Sequence, residues 1–257
     1  MSSLSNKVII STRPLTEYDS IKNLLIEEGA IVLDLPMIKI SAVDLTSELK
    51  NKLQQIISYQ WIVFTSKNGV DYFFQFLNRL NIKAEVLSSI KIAVVGKRTS
   101  EEVLKNNCQL HLISSGNTSN DLLKELAEII NPTEKVLLAL GEMAHDTLEK
   151  GLINLCEITQ MNVYKTVKPD NISTEIIERI KQDNYDIILF TSPSGVNQFF
   201  NLMIESKIKT DFRTASIGKT TERAMLQNNC KPLVVSQKSN AETFVNELER
   251  FFNNIKN

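Results

Sequence analysis

Cysteine and histidine are scarce, with three Cys and two His in 257 residues. Cys108, Cys156 and Cys230 are far apart and form no CxxC pair. Their odd number argues against a disulfide framework and for reduced, buried thiols. His111 and His145 have no partner at metal-ligand spacing, so neither a zinc site nor a His-dependent triad is expected. Long apolar runs are also missing. The opening MSSLSNKVIIS is too short in apolar residues for a secretory h-region, and no later stretch reaches 18 uncharged apolar residues. The expectation is a cytoplasmic protein with no membrane partner. Nor is there an excess of one charge, since 29 basic residues face 30 acidic ones. That balance removes any general attraction to nucleic acid, and an anionic ligand must be held by local donors.

What is present is enough apolar material for real cores, at 42% of residues and a mean hydropathy of -0.10. The length fits one large domain or two modest ones. Short apolar runs alternate with longer amphipathic ones, the βαβα pattern of a parallel sheet covered by helices. The expected strands are Val8 to Ser11, Ala30 to Leu35, Trp61 to Thr65, Ile92 to Val95, Leu110 to Ile113, Val136 to Leu140, Ile187 to Thr191, Thr214 to Ile217 and Leu233 to Val235. A helix capped by Ser119 is expected to bury Leu122, Leu123, Leu126, Ile129 and Ile130 and to stop before Pro132. No Pro/Gly/Ser-rich linker marks a domain boundary.

Laid on itself, the chain shows an internal duplication. WIVFTSKNGVDYFFQFL (Trp61 to Leu77) and IILFTSPSGVNQFFNLM (Ile187 to Met203) share Ile, FTS, GV and FF at an offset of 126. VVGKRTSEEVLKNNC (Val94 to Cys108) and SIGKTTERAMLQNNC (Ser216 to Cys230) share GK, Thr, Leu and NNC at an offset of 122. Weaker echoes relate Lys7 to Ser11 with Lys135 to Ala139, and Ile38 to Ile40 with Tyr164 to Thr166. Two similar α/β lobes follow. The paired Phe73, Phe74, Phe199 and Phe200 read as core between helix and sheet.

The duplicated turns follow strands, and in open parallel sheets ligands sit beyond the carboxyl ends of the strands. FTS at Phe64 to Ser66 and Phe190 to Ser192, and GK-x-T at Gly96 to Thr99 and Gly218 to Thr221, each end a strand and open a helix. Such turns direct free N–H groups and a helix dipole at an anion. Taken singly, each Ser or Thr is equally an N-cap and each Gly a turn former; four such turns together favour a ligand. Gly218-Lys219-Thr220 is not a P-loop, because position 213 is Arg where that motif needs Gly. No GxGxxG follows a predicted strand, so the dinucleotide fingerprint is missing.

TRP at Thr12 to Pro14, FTSxNGV at Phe64 to Val70, VYxT at Val163 to Thr166, FTSPSGV at Phe190 to Val196 and IGxTT at Ile217 to Thr221 occur in that order. With these motifs the chain resembles the uroporphyrinogen-III synthase family over nearly its whole length, about residues 7 to 250. The resemblance implies two doubly wound parallel-sheet domains, joined by a two-stranded connector, with the ligand in a cleft between them. One domain, 1–36 plus 167–257, would be built from both chain ends; 40–163 would be the inserted domain, with 35–41 and 161–168 as connector strands. The sequence by itself equally allows two contiguous halves.

The same resemblance implies a cyclising hydro-lyase (EC 4.2.1.75) of tetrapyrrole and haem biosynthesis, acting as a monomer and without a cofactor. It would convert hydroxymethylbilane to uroporphyrinogen III, inverting ring D through an azafulvene and a spirocyclic intermediate. The unassisted reaction closes the ring uninverted, so the enzyme's main task is to fold its substrate. Eight substrate carboxylates need localised donors. Ser66, Asn68, Gly69, Thr99, Ser192, Ser194, Gly195, Thr220 and Thr221 are assigned to the binding walls, with Arg13, Lys67, Lys97, Arg98 and Lys219 as charge partners. Those lysines serve equally well as solvated surface. Tyr164, which matches the family's tyrosine in VYxT, is the candidate for assisting departure of the hydroxyl; otherwise it is a packing residue on a strand. Two rivals remain from the residues alone: a two-lobed, non-catalytic binding protein or sensor for a small anion, and a nucleotide-dependent enzyme weakened by the missing glycine fingerprint.

Overall fold

The computed structural model describes residues 2–15, 19–208 and 211–256. In chain order the elements are β1 (Val8–Ser11), α1 (Ser20–Glu27), β2 (Ile31–Asp34), β3 (Lys39–Ala42), α2 (Ser47–Gln54), β4 (Trp61–Phe64), α3 (Lys67–Arg79), β5 (Lys91–Val94), α4 (Lys97–Lys105) and β6 (Leu112–Ile113). There follow α5 (Ser119–Ile129), β7 (Lys135–Gly141), α6 (Thr147–Leu152), β8 (Glu157–Val167), α7 (Thr174–Lys181), β9 (Ile187–Phe190), α8 (Pro193–Glu205), β10 (Thr214–Ser216), α9 (Lys219–Gln227), β11 (Val234–Val235) and α10 (Ala241–Lys256). They form two compact units, the first from residues 1–39 and 167–257, the second from residues 40–166.

The first unit holds a five-stranded sheet in the order β11-β10-β9-β1-β2, and every pairing in it is parallel. The second sheet has the order β3-β8-β7-β4-β5-β6, and its β8–β7, β7–β4, β4–β5 and β5–β6 pairings are parallel. Both central strands are apolar at every position because both faces of each sheet are covered. In β4, Ile62 and Phe64 enter one core, with Phe73 and Phe74, while Trp61 and Val63 enter another, with Leu122 and Leu126. In β9, Ile188 and Phe190 join Phe199 and Phe200, and Ile187 and Leu189 join Phe244 and Leu248. The paired phenylalanines are therefore core, with Phe73 and Phe199 packed edge to face on Phe64 and Phe190. At about 25 cal/mol per Å² of apolar surface, each fully buried Phe contributes on the order of 2–3 kcal/mol.

Strand order shows how the duplication is folded. β4, β5, β6 and β7 occupy the places of β9, β10, β11 and β1. Each unit thus takes its first strand-pair from one repeat and the remainder from the other. Backbone detail repeats too: Asn81 and Lys207, and Asn107 and Asn229, end equivalent helices at φ of 55 to 57°. The sheet corrects one echo. Ile9 lies beside Ile187 and Val136 beside Trp61, so Val8, not Lys7, is the counterpart of Lys135. A one-residue slip would turn each side chain to the opposite core.

Three local expectations change. The α5 cap is Thr118, in a capping box with Asp121, and Ser119 is the first helical residue. Ile129 is exposed at 45% while Leu122 and Leu126 are fully buried. Cys108 and Cys230 are buried free thiols, but Cys156 is only half-buried.

Candidate functional site

Ser66, two residues past β4, is extended, and its Oγ accepts the Gly69 N–H at 3.1 Å, which caps α3. The same oxygen lies 3.1 Å from the Tyr164 hydroxyl. Three features place that phenol. β7 and β8 slip in register at Leu140/Gly141, setting Gly141 opposite Tyr164. Gly141 has no Cβ, and the ring fills the space that one would need. Tyr72 of α3 stacks on the ring, centroids 6.0 Å apart and 27° between planes, and gives its own hydroxyl to the Ile40 carbonyl at 2.8 Å.

Beside this pair is a cavity of about 280 Å³, lined by Thr65, Ser66, Ser119, Tyr164, Thr166 and the Gly141–His145 turn, with Leu140 and Leu148. All of it lies at the carboxyl ends of β4, β6, β7 and β8, where an open parallel sheet puts its ligands. Among the described residues, neither Lys nor Arg lines it; Glu142 and His145 do. A second cavity, of about 300 Å³, shares Glu142 and is lined also by Thr46, Lys52, Gln160 and Lys165.

Of the residues singled out in the sequence, Ser66 and Tyr164 line the first cavity. Half-buried Asn68 and buried Gly69 are in the first turn of α3 and do not. Lys67 turns to an acidic pair, 3.5 Å from Glu102 and 3.7 Å from Asp71. Burial and the neighbouring Glu102 charge raise Asp71 to about 6. Burial also pushes Glu102 upward, but Lys105, Lys67 and a hydrogen bond from Asp71 outweigh it and hold Glu102 below the usual carboxylate range. Gly96 opens α4 without a side-chain cap; Lys97 and Arg98 are exposed, and Thr99 is buried at 4%.

In the other unit, Ser192 repeats the Ser66 arrangement, accepting the Gly195 N–H at 3.1 Å, but its neighbour is the Ser194 hydroxyl at 3.2 Å. The counterpart of Tyr164 is Ile38, buried at 7%, with no hydroxyl to offer. Arg13 is paired with Asp19, the N-cap of α1, at 2.8 Å. Lys219 and Thr220 are exposed at the start of α9, whereas Thr221 is buried at 3%.

The sequence reading missed Thr65, Ser119, Thr166 and the Glu142–His145 turn. A signal existed, since that turn follows the carboxyl end of β7, but it lies outside the duplicated motifs that drew attention. Among the described residues no group of three His, Cys, Asp or Glu could hold a metal ion, and no helix is long and apolar enough to cross a membrane.

Comparison with known proteins adds the family. The uroporphyrinogen-III synthase HemD family model matches residues 19–246. A porphyrin biosynthesis protein HemD of Ruminiclostridium josui is 27% identical over 93% of this chain, which spans 47% of that protein's length. A putative uroporphyrinogen-III synthase of Methanocaldococcus jannaschii is 29% identical over 89% of this chain and 92% of its own. In fold, a mutant uroporphyrinogen III synthase from the extremely thermophilic bacterium Thermus thermophilus superposes with a TM-score of 0.63 at 15% identity, covering 96% of this chain and 99% of that one. The Helicobacter pylori 26695 uroporphyrinogen-III synthetase gives 0.58 at 14%, covering 94% and 97%. The chain belongs to the uroporphyrinogen-III synthase family, lyases of porphyrin biosynthesis.

Proposed function

We propose that this chain closes hydroxymethylbilane to uroporphyrinogen III, with Tyr164 assisting loss of the terminal hydroxyl. The observation that carries this reading is the hydroxyl of Tyr164, fixed 3.1 Å from Ser66 at a cavity wall. At about 280 Å³ the cavity has room for one pyrrole and its hydroxymethyl group, not for a whole tetrapyrrole. Its hydroxyl-bearing residues suit hydrogen bonding to a leaving hydroxyl better than neutralising carboxylates. The carboxylates fall instead to donors outside it: Lys97, Arg98 and Lys219, with the helix starts at Asn68, Ser192, Ser194 and Thr220. Arg13 and Lys67 are already paired with carboxylates of the chain, and the Gly69 and Gly195 N–H groups are given to the capping serines. Thr99 and Thr221 are buried and are not among the donors.

In this mechanism the C–O bond breaks as the pyrrole nitrogen pushes its electrons toward the methylene carbon. The departing hydroxide is balanced by the proton lost from the pyrrole nitrogen, so water leaves and an azafulvene remains. Tyr164 gives a hydrogen bond to the leaving oxygen and keeps its own proton. Ring D then attacks through its substituted carbon, forming the spirocyclic intermediate that rearranges to the inverted ring. No step requires a metal or redox cofactor. The unassisted reaction gives isomer I, so the catalytic advantage lies in holding the chain of pyrroles in the spiro-forming conformation.

The test is incubation of fresh hydroxymethylbilane with the purified chain, then oxidation and separation of the porphyrin isomers. Isomer III should dominate without added metal, nucleotide or other cofactor. Isomer I alone, across a range of protein concentrations, would overturn the reading and leave a non-catalytic anion-binding protein.

A further inference from the structure

We infer that Ser66 is a positioning residue for the reaction: it donates its proton to the Tyr164 oxygen and thereby turns the phenol O–H into the cavity. This rests on the ring-closure reading above. Chemistry fixes the first direction: a backbone N–H only donates, so the 3.1 Å contact from Gly69 uses one lone pair of Ser66 Oγ and leaves its O–H and its other lone pair. Across the 3.1 Å to Tyr164 either hydroxyl can donate, and donation by Ser66 is the direction that leaves the phenol O–H for the cavity. The bonds then run one way, from Gly69 N–H to Ser66, from Ser66 to Tyr164, and from Tyr164 to the leaving oxygen. Each donation strengthens the next, and the chain starts at the positive end of a 13-residue helix. The opposite direction would spend the phenol proton on serine and aim a lone pair at the substrate.

Two further observations favour a role beyond capping. The ring has no freedom to swing away, being held by the Tyr72 stack and by the space at Gly141. The duplication also supplies an internal comparison: the capped turn occurs twice, at Ser66 and Ser192, yet among the described residues only Ser66 has a phenol hydrogen-bonded to it. Where the other repeat has Ile38, the capping serine turns to a neighbouring serine instead.

The experiment measures kcat, KM and melting temperature for Ser66→Thr, Ser66→Ala and Ser66→Asp, each alone and combined with Tyr164→Phe. Threonine keeps both the cap acceptor and the donor, and should retain parental kcat within about threefold. Aspartate is a good N-cap but an acceptor only, so Ser66→Asp should keep the melting temperature while kcat falls about tenfold with KM unchanged, the scale of one misdirected hydrogen bond. Ser66→Ala should lose both. In the Tyr164→Phe background none of the three should lower kcat further, because the phenol through which Ser66 acts is gone. Parental kcat in Ser66→Asp, or losses that multiply with Tyr164→Phe, would overturn the positioning role while leaving ring closure intact. A parental chain that makes only isomer I would overturn both.

Discussion

Gly141 and Tyr164 share one volume: a Cβ built on Gly141 would lie 2.5 Å from Cζ of the phenol and 2.8 Å from its oxygen. Gly141→Ala should therefore displace the ring from Ser66. The fold should lose about 1–3 kcal/mol, as for an overpacked core position, and turnover should fall at least as far as in Tyr164→Phe. Thermal unfolding and kcat, measured on the same preparation, check this. A folded alanine variant with parental kcat would mean that the position of the phenol does not matter to the reaction.

Tyr164→Phe itself removes the hydroxyl and leaves the stacked ring. Turnover should drop by about tenfold to a few hundredfold, the range for one lost catalytic hydrogen bond or proton donor. The isomer formed should stay the same, because folding of the substrate is spread over many contacts. Parental turnover would return Tyr164 to a packing role.

Asp71 predicts a pH dependence of stability. Its carboxyl ionises at about 6 in the fold, raised from 3.8 by burial and by Glu102. Between those values the folded state binds more protons than the unfolded one, so this group's contribution is full below about 4 and is lost as pH rises through about 6. Glu102 works in the opposite sense, its contribution being lost as pH falls through its depressed value. Asp71→Asn should thus raise the melting temperature relative to the parent at pH 8 and by less at pH 5. An equal shift at both pH values would show that the proton is not taken up there.

Gly96 and Gly218 are repeat counterparts with different reasons to be glycine. Gly96 sits at φ 78°, ψ 160°, a region essentially closed to other residues, and Gly96→Ala should cost about 1–3 kcal/mol. Gly218 is extended, at φ 170°, and an added Cβ would meet only the Ser239 hydroxyl at 2.7 Å, on an exposed residue able to rotate away. Gly218→Ala should cost less than about 1 kcal/mol. Denaturant unfolding of both variants tests the order, and a larger loss at Gly218 would contradict it.

The buried strands were legible because, covered on both faces, they read as short continuous apolar runs: VIIS, WIVF, KIAV and IILF. β3 and β8 were not. KISA is brief and half-exposed, and EITQMNVYKTV interleaves polar residues along eleven positions, so only a weak echo of the duplication and the family resemblance point to them. Sequence placed Ser66 and Tyr164 on separate segments as candidates, but not their 3.1 Å approach, which depends on a register slip between β7 and β8 that no local pattern records. The lysines named beside the turns were chosen by residue type alone, and type does not reveal that Lys67 is held by Glu102 and Asp71.

The out-of-phase folding of the repeats also sets an order of events on the ribosome. Residues 40–166 contain every strand of the second sheet apart from the ends of β3 and β8, so that unit can close while synthesis is still under way. β1 is translated first but waits long for its second partner. It lies between β2 and β9, and its partner for Ile9 is Ile187, which does not exist until most of the polypeptide has emerged. Until then a nascent strand rich in Val and Ile must wait with one edge unpaired, the state in which a growing chain is most open to chaperone capture or to pairing with a neighbour.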